Sequence, residues 1–127
     1  MLFRSSQVLL GSIVAYQDEL KAQLLGVPSE LLSSQGAVSA AVAQAMASGV
    51  RQVMAQCADL NTDVVLGLGV TGVAGPGAEG EHAPGTVFCA VSGPAGNSVL
   101  EYRFAGDRNS VRTASVEACL GLINRQL

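Results

Sequence analysis

The chain has no tryptophan, one lysine, one histidine, and charged residues at only 13% of its 127 positions. Each shortage closes off a class of function. Seven basic residues stand against ten acidic ones, for a net charge of −3. No basic stripe is therefore available to neutralise a row of phosphates, which excludes a general nucleic-acid binder. The three cysteines, Cys57, Cys89 and Cys119, form no CxxC pair and are odd in number. That points away from a zinc site or a disulfide framework and toward reduced thiols in a cytoplasmic protein. No segment reaches the roughly 18 apolar residues that a membrane helix needs, so no membrane partner is expected. The opening residues 1–16 carry one arginine and a short apolar run, without a strong basic region or a small-residue cleavage site. They read as a strand and not as a signal peptide. No P-loop, GxSxG elbow or HExxH occurs, and neither a cofactor nor a metal centre is expected.

Apolar residues, at 49%, are plentiful. One domain spanning 1–127 is expected, with a surface short of charge. Such a surface favours burial against a partner, in a homo-oligomer or where a piece is missing. The stretch DVVLGLGVTGVAGP at 63–76 organises the chain. Val64, Val65, Leu66, Leu68 and Val70 form the near-continuous apolar run of a strand covered on both faces. Gly72, Gly75, Pro76 and Gly77 then stop it. A strand whose carboxyl end opens into a glycine turn is where open α/β sheets place their ligands. The same glycines equally suit a plain surface turn.

Around this stretch, residues 7–16 read as a strand. Residues 18–25 read as a helix, with Leu20 and Leu24 at i, i+4 and Gly26 closing it. Pro28 opens a short helix through Leu32 that ends at Gly36. Ser39 caps a long helix over 40–58 whose apolar stripe is Val42, Met46, Val50, Val53 and Cys57. Residues 86–92 and 98–104 form a hairpin across 93–97. Asp107 caps a C-terminal helix whose inward face carries Val111, Ser115, Cys119, Leu122 and Ile123. This order predicts an α/β fold, a mixed and mainly parallel sheet of four strands with helices packed on it. The chain opens abruptly at a strand, as though a first strand and helices were missing.

Few residues carry chemistry. Lys21 follows Tyr16 by five positions, so a strand end and a first helical turn bring both toward one site. A lysine in an apolar, desolvated setting can serve as the base for a serine nucleophile; the plain alternative is a solvated lysine beside Asp18. Arg108 and Arg112 are i, i+4 and share a helix face, with Arg103 close in sequence. Arginine opposes the dipole in a first helical turn. A bound phosphate would remove that penalty, as would pairing with Asp107 or Glu117. His82, between Glu79, Glu81 and the glycines of its loop, is a weak metal-ligand pattern and fits a solvated loop.

Five segments together resemble one family. They are GSIVAYQDELKAQLLGV at 11–27, QGAVSAAVAQAMASGVR at 35–51, VTGVAGPG at 70–77, PGTVFCAV at 84–91 and FAGDRNSVRTASVEA at 104–118. In this order they resemble the C-terminal domain of the competence/damage-inducible protein CinA, whose members include nicotinamide mononucleotide amidases. The resemblance implies hydrolysis of the carboxamide of a small-molecule pyridine mononucleotide, giving nicotinic acid mononucleotide and ammonia, in pyridine-nucleotide recycling. It implies a serine–lysine mechanism in which Lys21 is the base with Tyr16 beside it. Thr71 and the backbone of Gly72 and Gly75 would line the reacting centre, and Arg108 and Arg112 would lie toward the nucleotide phosphate.

Two departures stand out. The family's nucleophilic serine lies in an Ala-Glu-Ser-Cys-Thr-Gly-Gly-like segment, and this chain has none. Ser5, Ser6 and Ser12 lack that context, and Ser115 sits on a helix. Where the family tends to have aspartate after Pro76 and Lys-Pro before the next strand, this chain has Gly77 and His82-Ala83-Pro84. An amidase-like protein impaired by loss of its nucleophile is therefore expected, with a non-catalytic nucleotide-binding or assembly module as the alternative.

Overall fold

The computed structural model describes residues 4–127. At its centre is β2, Thr86–Gly93, in which every residue is buried. It is paired antiparallel on one side with β1, Gly67–Gly72, and on the other with β3, Gly96–Arg103. The sheet order is β1-β2-β3. The fold is α/β, but among the described residues the sheet is wholly antiparallel and has three strands, which corrects the mainly parallel expectation. The reason is in the connections. Parallel strands need a crossover of a dozen or more residues, usually helical. Here β2 and β3 join through a two-residue turn, with Gly93 paired to Gly96. The loop from Val73 to Gly85 contains no helix.

Among the described residues there are four α-helices, α1 (Asp18–Leu25), α2 (Ser29–Gln35), α3 (Ala40–Cys57) and α4 (Arg108–Asn124), of which α3 and α4 cover the two faces of the sheet. α3 starts where the Ser39 hydroxyl accepts the Val42 amide at 3.2 Å, the cap that leaves fewer orphan donors in its first turn. Gly26 ends α1 in the left-handed conformation at φ 68°. Alternation along β2 divides the core in two. Phe88 and Ala90 face α3, with Val38, Ala43, Ala47 and Val73 around them. Val87, Cys89 and Val91 face α4 and its Val111, Cys119 and Leu122. α1 and α2 form an outer layer on α3.

Three local expectations are corrected. Residues 7–16 are not a strand: Ser5–Gln7 is a short 3-10 turn and residues 9–16 are irregular. A strand exists only by pairing its amides and carbonyls with a neighbour, and this stretch leaves Val8 71% and Val14 77% exposed. Met1–Phe3, the rest of that reading, lie outside the described residues. The apolar run at 64–70 is not covered on both faces either. Thr62–Val64 is a 3-10 turn with Val64 72% exposed, and Val70 is 38% exposed. The buried positions of β1 are Gly67 and Gly69, and the strand buried on both faces is β2. Finally, the apolar stripe of α3 faces the outer layer, where Val42, Met46 and Val50 pack with Leu25, Val27 and Leu32; Cys57 is exposed, and toward the sheet α3 presents the small Ala43 and Ala47. The glycines of β1 account for this. A Cβ on Gly67 or Gly69 would run into the carbonyl oxygens of Ala47 and Ala43.

Candidate functional site

Beyond Gly72 the chain leaves β1 but stays pinned. Val73 donates its amide to the Thr86 carbonyl at 2.8 Å, and Gly85 donates back to Val73 at 2.7 Å. The glycine-rich loop therefore springs from a closed base. Thr71 turns toward the α3 side of the sheet, where its hydroxyl donates to the Ala37 carbonyl at 2.7 Å. Gly75 adopts φ 95°, a left-handed value that a glycine reaches without the Cβ penalty. Its carbonyl accepts Arg108 Nη1 at 3.0 Å, which ties the loop to the start of α4.

Asp107 Oδ1 caps α4 by accepting both the Ser110 amide and the Ser110 hydroxyl at 2.9 Å each. The Ser110 amide above all, then its hydroxyl and more weakly the Asn109 amide, hold this carboxyl below its ordinary value. The anion position at the amino end of α4 is thus taken by the protein's own carboxylate. Arg108 and Arg112 do not pair with Asp107 or Glu117 among the described residues. Arg103 instead meets Glu101 at 3.1 Å, an exposed surface pair.

Between β1 and α4 lies a cleft of about 510 Å³ lined by Val70, Gly72, Val87, Asn109, Arg112 and Ser115, among others. That volume is within the range of small-ligand pockets. Its walls are mainly apolar, with a guanidinium and short polar side chains converging on them. The Ser115 hydroxyl is occupied, donating to the Val111 carbonyl at 2.7 Å. Asn109, Thr113 and Val116, absent from the sequence reading, also line it. With Arg112 they recur at i, i+3, i+4 and i+7 along α4, a helical face that the spacing alone marks out.

Lys21 is elsewhere. It and Leu25 form the buried face of α1, one residue out of phase with the Leu20–Leu24 pair, whose members are 37% and 46% exposed. The lysine is 5% exposed. Its Nζ donates to the Tyr16 carbonyl at 2.7 Å and to Asp18 Oδ1 at 3.3 Å. The Asp18 carboxylate itself is 52% exposed. Tyr16 meets the lysine through its backbone, and the residue as a whole is 82% exposed. α1 packs on α3 and α2, and α3 lies across the sheet from α4. The structure therefore brings Gly72, Gly75, Arg108 and Arg112 together around the end of β1, with Thr71 at the cleft wall and its hydroxyl turned away. Lys21 and Tyr16 form a second group on the other side.

The loop histidine is packed: the His82 ring meets Phe88 edge-on at 5.7 Å, and Glu79 and His82 exchange backbone hydrogen bonds at 3.0 Å.

Comparison with known proteins gives one consistent result. The CinA C-terminal domain family matches residues 4–127. A CinA-like protein of Acidobacterium capsulatum is 44% identical over 124 residues, covering 97% of this chain and 28% of the relative. A putative competence-damage inducible protein of Desulforamulus reducens is 41% identical over 116 residues, covering 91% of this chain and 26% of the relative. Among solved structures, a CinA superfamily protein of Escherichia coli superposes with a TM-score of 0.74 at 30% identity, covering 88% of this chain and 61% of that one. The chain thus matches only about a quarter of the length of these curated relatives, 28% and 26%.

Proposed function

The chain belongs to the CinA C-terminal domain family, and on that premise we propose that it is the base-bearing and nucleotide-binding part of a nicotinamide-nucleotide amidohydrolase. The reaction is hydrolysis of nicotinamide mononucleotide to nicotinic acid mononucleotide and ammonia. The observation that supports it best is Lys21, a nearly buried amine held by one carbonyl and one partly exposed carboxylate. A serine hydroxyl set against Nζ would give up its proton to the amine and attack the carboxamide carbon. The proton would return to the departing ammonia, and water would then hydrolyse the acyl-enzyme. The sequence contains no Ser-Cys-Thr-Gly-Gly, so the 127-residue polypeptide binds the mononucleotide and releases no ammonia by itself. Arg112, with Arg108 beside it, takes the phosphate.

The separation of Lys21 from the arginine-lined cleft favours a second reading, a non-catalytic nucleotide-binding or assembly module. An ammonia-release assay on nicotinamide mononucleotide distinguishes the two. The chain alone is expected to be inactive. Adding a polypeptide that carries the Ser-Cys-Thr-Gly-Gly segment of a longer relative is expected to give turnover that Lys21→Ala abolishes. Turnover by the chain alone, dependent on Lys21, overturns the inactive reading. Calorimetric binding without turnover under either condition supports the module.

A further inference from the structure

The core beneath α4 holds two thiols in contact. Cys89, at the middle of β2, and Cys119, on α4, bring their Sγ atoms to 3.0 Å across 30 residues of sequence. Both are buried, at 0% and 5% exposure, among Val87, Val91, Val111 and Leu122. Neither takes part in the cleft or in the Lys21 group. An apolar core of this kind needs only volume at these two positions, and a pair of valines or alanines would supply it without sulfur. A disulfide has its sulfurs about 2.05 Å apart, so the pair stands about 1 Å from bonding distance.

We propose that Cys89 and Cys119 are a site of reversible oxidation, closing to a disulfide that fastens α4 to β2 when a peroxide reaches the core. In the first step the Cys119 sulfur attacks one oxygen of hydrogen peroxide. The O–O bond breaks, a sulfenic acid forms, and the other oxygen leaves as water with the proton from the Cys119 thiol. In the second step Cys89 attacks the sulfenic sulfur. The S–S bond forms, the S–O bond breaks, and the hydroxide leaves as water with the proton from Cys89. Two thiols are oxidised by two electrons and one peroxide is reduced to two waters.

The position of Cys119 on the cleft side of the core makes it the first thiol an oxidant meets. The two thiols share one hydrogen bond that either can donate; with Cys89 as donor, the bond holds the Cys119 thiol below its ordinary value against the opposing push of burial. The same bond, then burial and the charge on Cys119, push Cys89 up. Cys119 is also one helical turn from Ser115, which lines the cleft, and this is the direction from which a small oxidant arrives. The consequence is mechanical. α4 carries Arg112 and the polar wall of the cleft, and the disulfide anchors that wall to the central strand. It also restricts the unfolded chain over the 30-residue separation, which raises stability.

The test uses the Cys57→Ser chain, because Cys57 is exposed and would otherwise react on its own. The folded protein is treated with hydrogen peroxide, then quenched and weighed. The expected result is a loss of two hydrogens, a peptide pair joining Cys89 to Cys119 after digestion, and reversal by dithiothreitol. The oxidised form should melt higher than the reduced form by roughly 10 °C. Adding Cys119→Ala, with folding checked by circular dichroism, should abolish the mass loss. Three results overturn the proposal: both thiols survive a peroxide dose that oxidises Cys57 in the parent chain, the sulfurs gain oxygen without bridging, or the bridge forms only in urea.

Discussion

Two helices of nearly equal length cover the sheet, α3 with 18 residues and α4 with 17, and they are packed in opposite ways. Against β1, α3 presents Ala43 and Ala47 to Gly67 and Gly69, so that backbone meets backbone and no side chain fits between. On the other face, Val87, Cys89 and Val91 meet Val111, Cys119 and Leu122, and the helix stands off on larger groups. Close approach leaves no room between α3 and β1. Stand-off leaves a cleft between β1 and α4. The residue class at a helix–sheet contact thus decides whether space opens between that helix and the strand it covers.

The close contact between α3 and β1 is most sensitive at Gly69. Gly69→Val drives a branched side chain into the Ala43 carbonyl, and is expected to cost about 3 kcal/mol as overpacking, read as a lowered urea midpoint. On the stand-off face the corresponding experiment removes volume. Val111→Ala, at a position 2% exposed, should cost about 2 kcal/mol by the same measurement. Arg112→Ala separates ligand from fold: it should leave stability within about 0.5 kcal/mol. Calorimetry should show mononucleotide binding weakened roughly tenfold, the loss of a charge-assisted contact.

The smallest effect is a pH dependence confined to α4. The Asp107 carboxyl is lowered in the folded state from its unfolded value of 3.8. A depressed carboxyl stabilises the fold above its unfolded value and loses that contribution as pH falls through the folded one. The contribution of the Asp107 cap should therefore fade as pH falls below about 4. In Asp107→Asn, which keeps a capping acceptor, this part of the acid dependence should vanish while stability at neutral pH changes little. Circular dichroism across an acid titration reads both.

Much of this was legible in local chemistry. Ser39 and Asp107 are capping residues placed before apolar stripes, and both cap. The glycines around Pro94 signalled a hairpin that forms with Gly93 opposite Gly96. What was not legible depended on partners distant in sequence. Val8 to Val14 has strand composition, yet composition cannot supply the neighbour that a strand needs. The run at 64–70 has the valines and leucines of a buried strand, whereas its glycines are the residues pressed against α3. Strand direction follows from the connections: no helix lies between 73 and 85, and a short non-helical link joins antiparallel strands. At the candidate site, the Arg108–Gly75 bond spans 33 residues and leaves no trace in any window of sequence. The face formed by Asn109, Arg112, Thr113 and Val116 was there in the spacing. Lys21 stands out in sequence by its rarity and its spacing from Tyr16; its burial comes from a helix phase one residue away from Leu20 and Leu24.

The order of the strands has one more consequence. β1 and β3 are both borders of the sheet among the described residues, but they are defended unequally. β3 carries Glu101 and Arg103, charges of the sort that discourage a neighbouring molecule from adding a strand. β1, spelled GLGVTG, carries no charge at all. Self-association in crowded solution is therefore expected through β1 rather than β3: light scattering against concentration should rise for the parent chain and fall back in Val70→Lys, and equal scattering by the two chains would count against it.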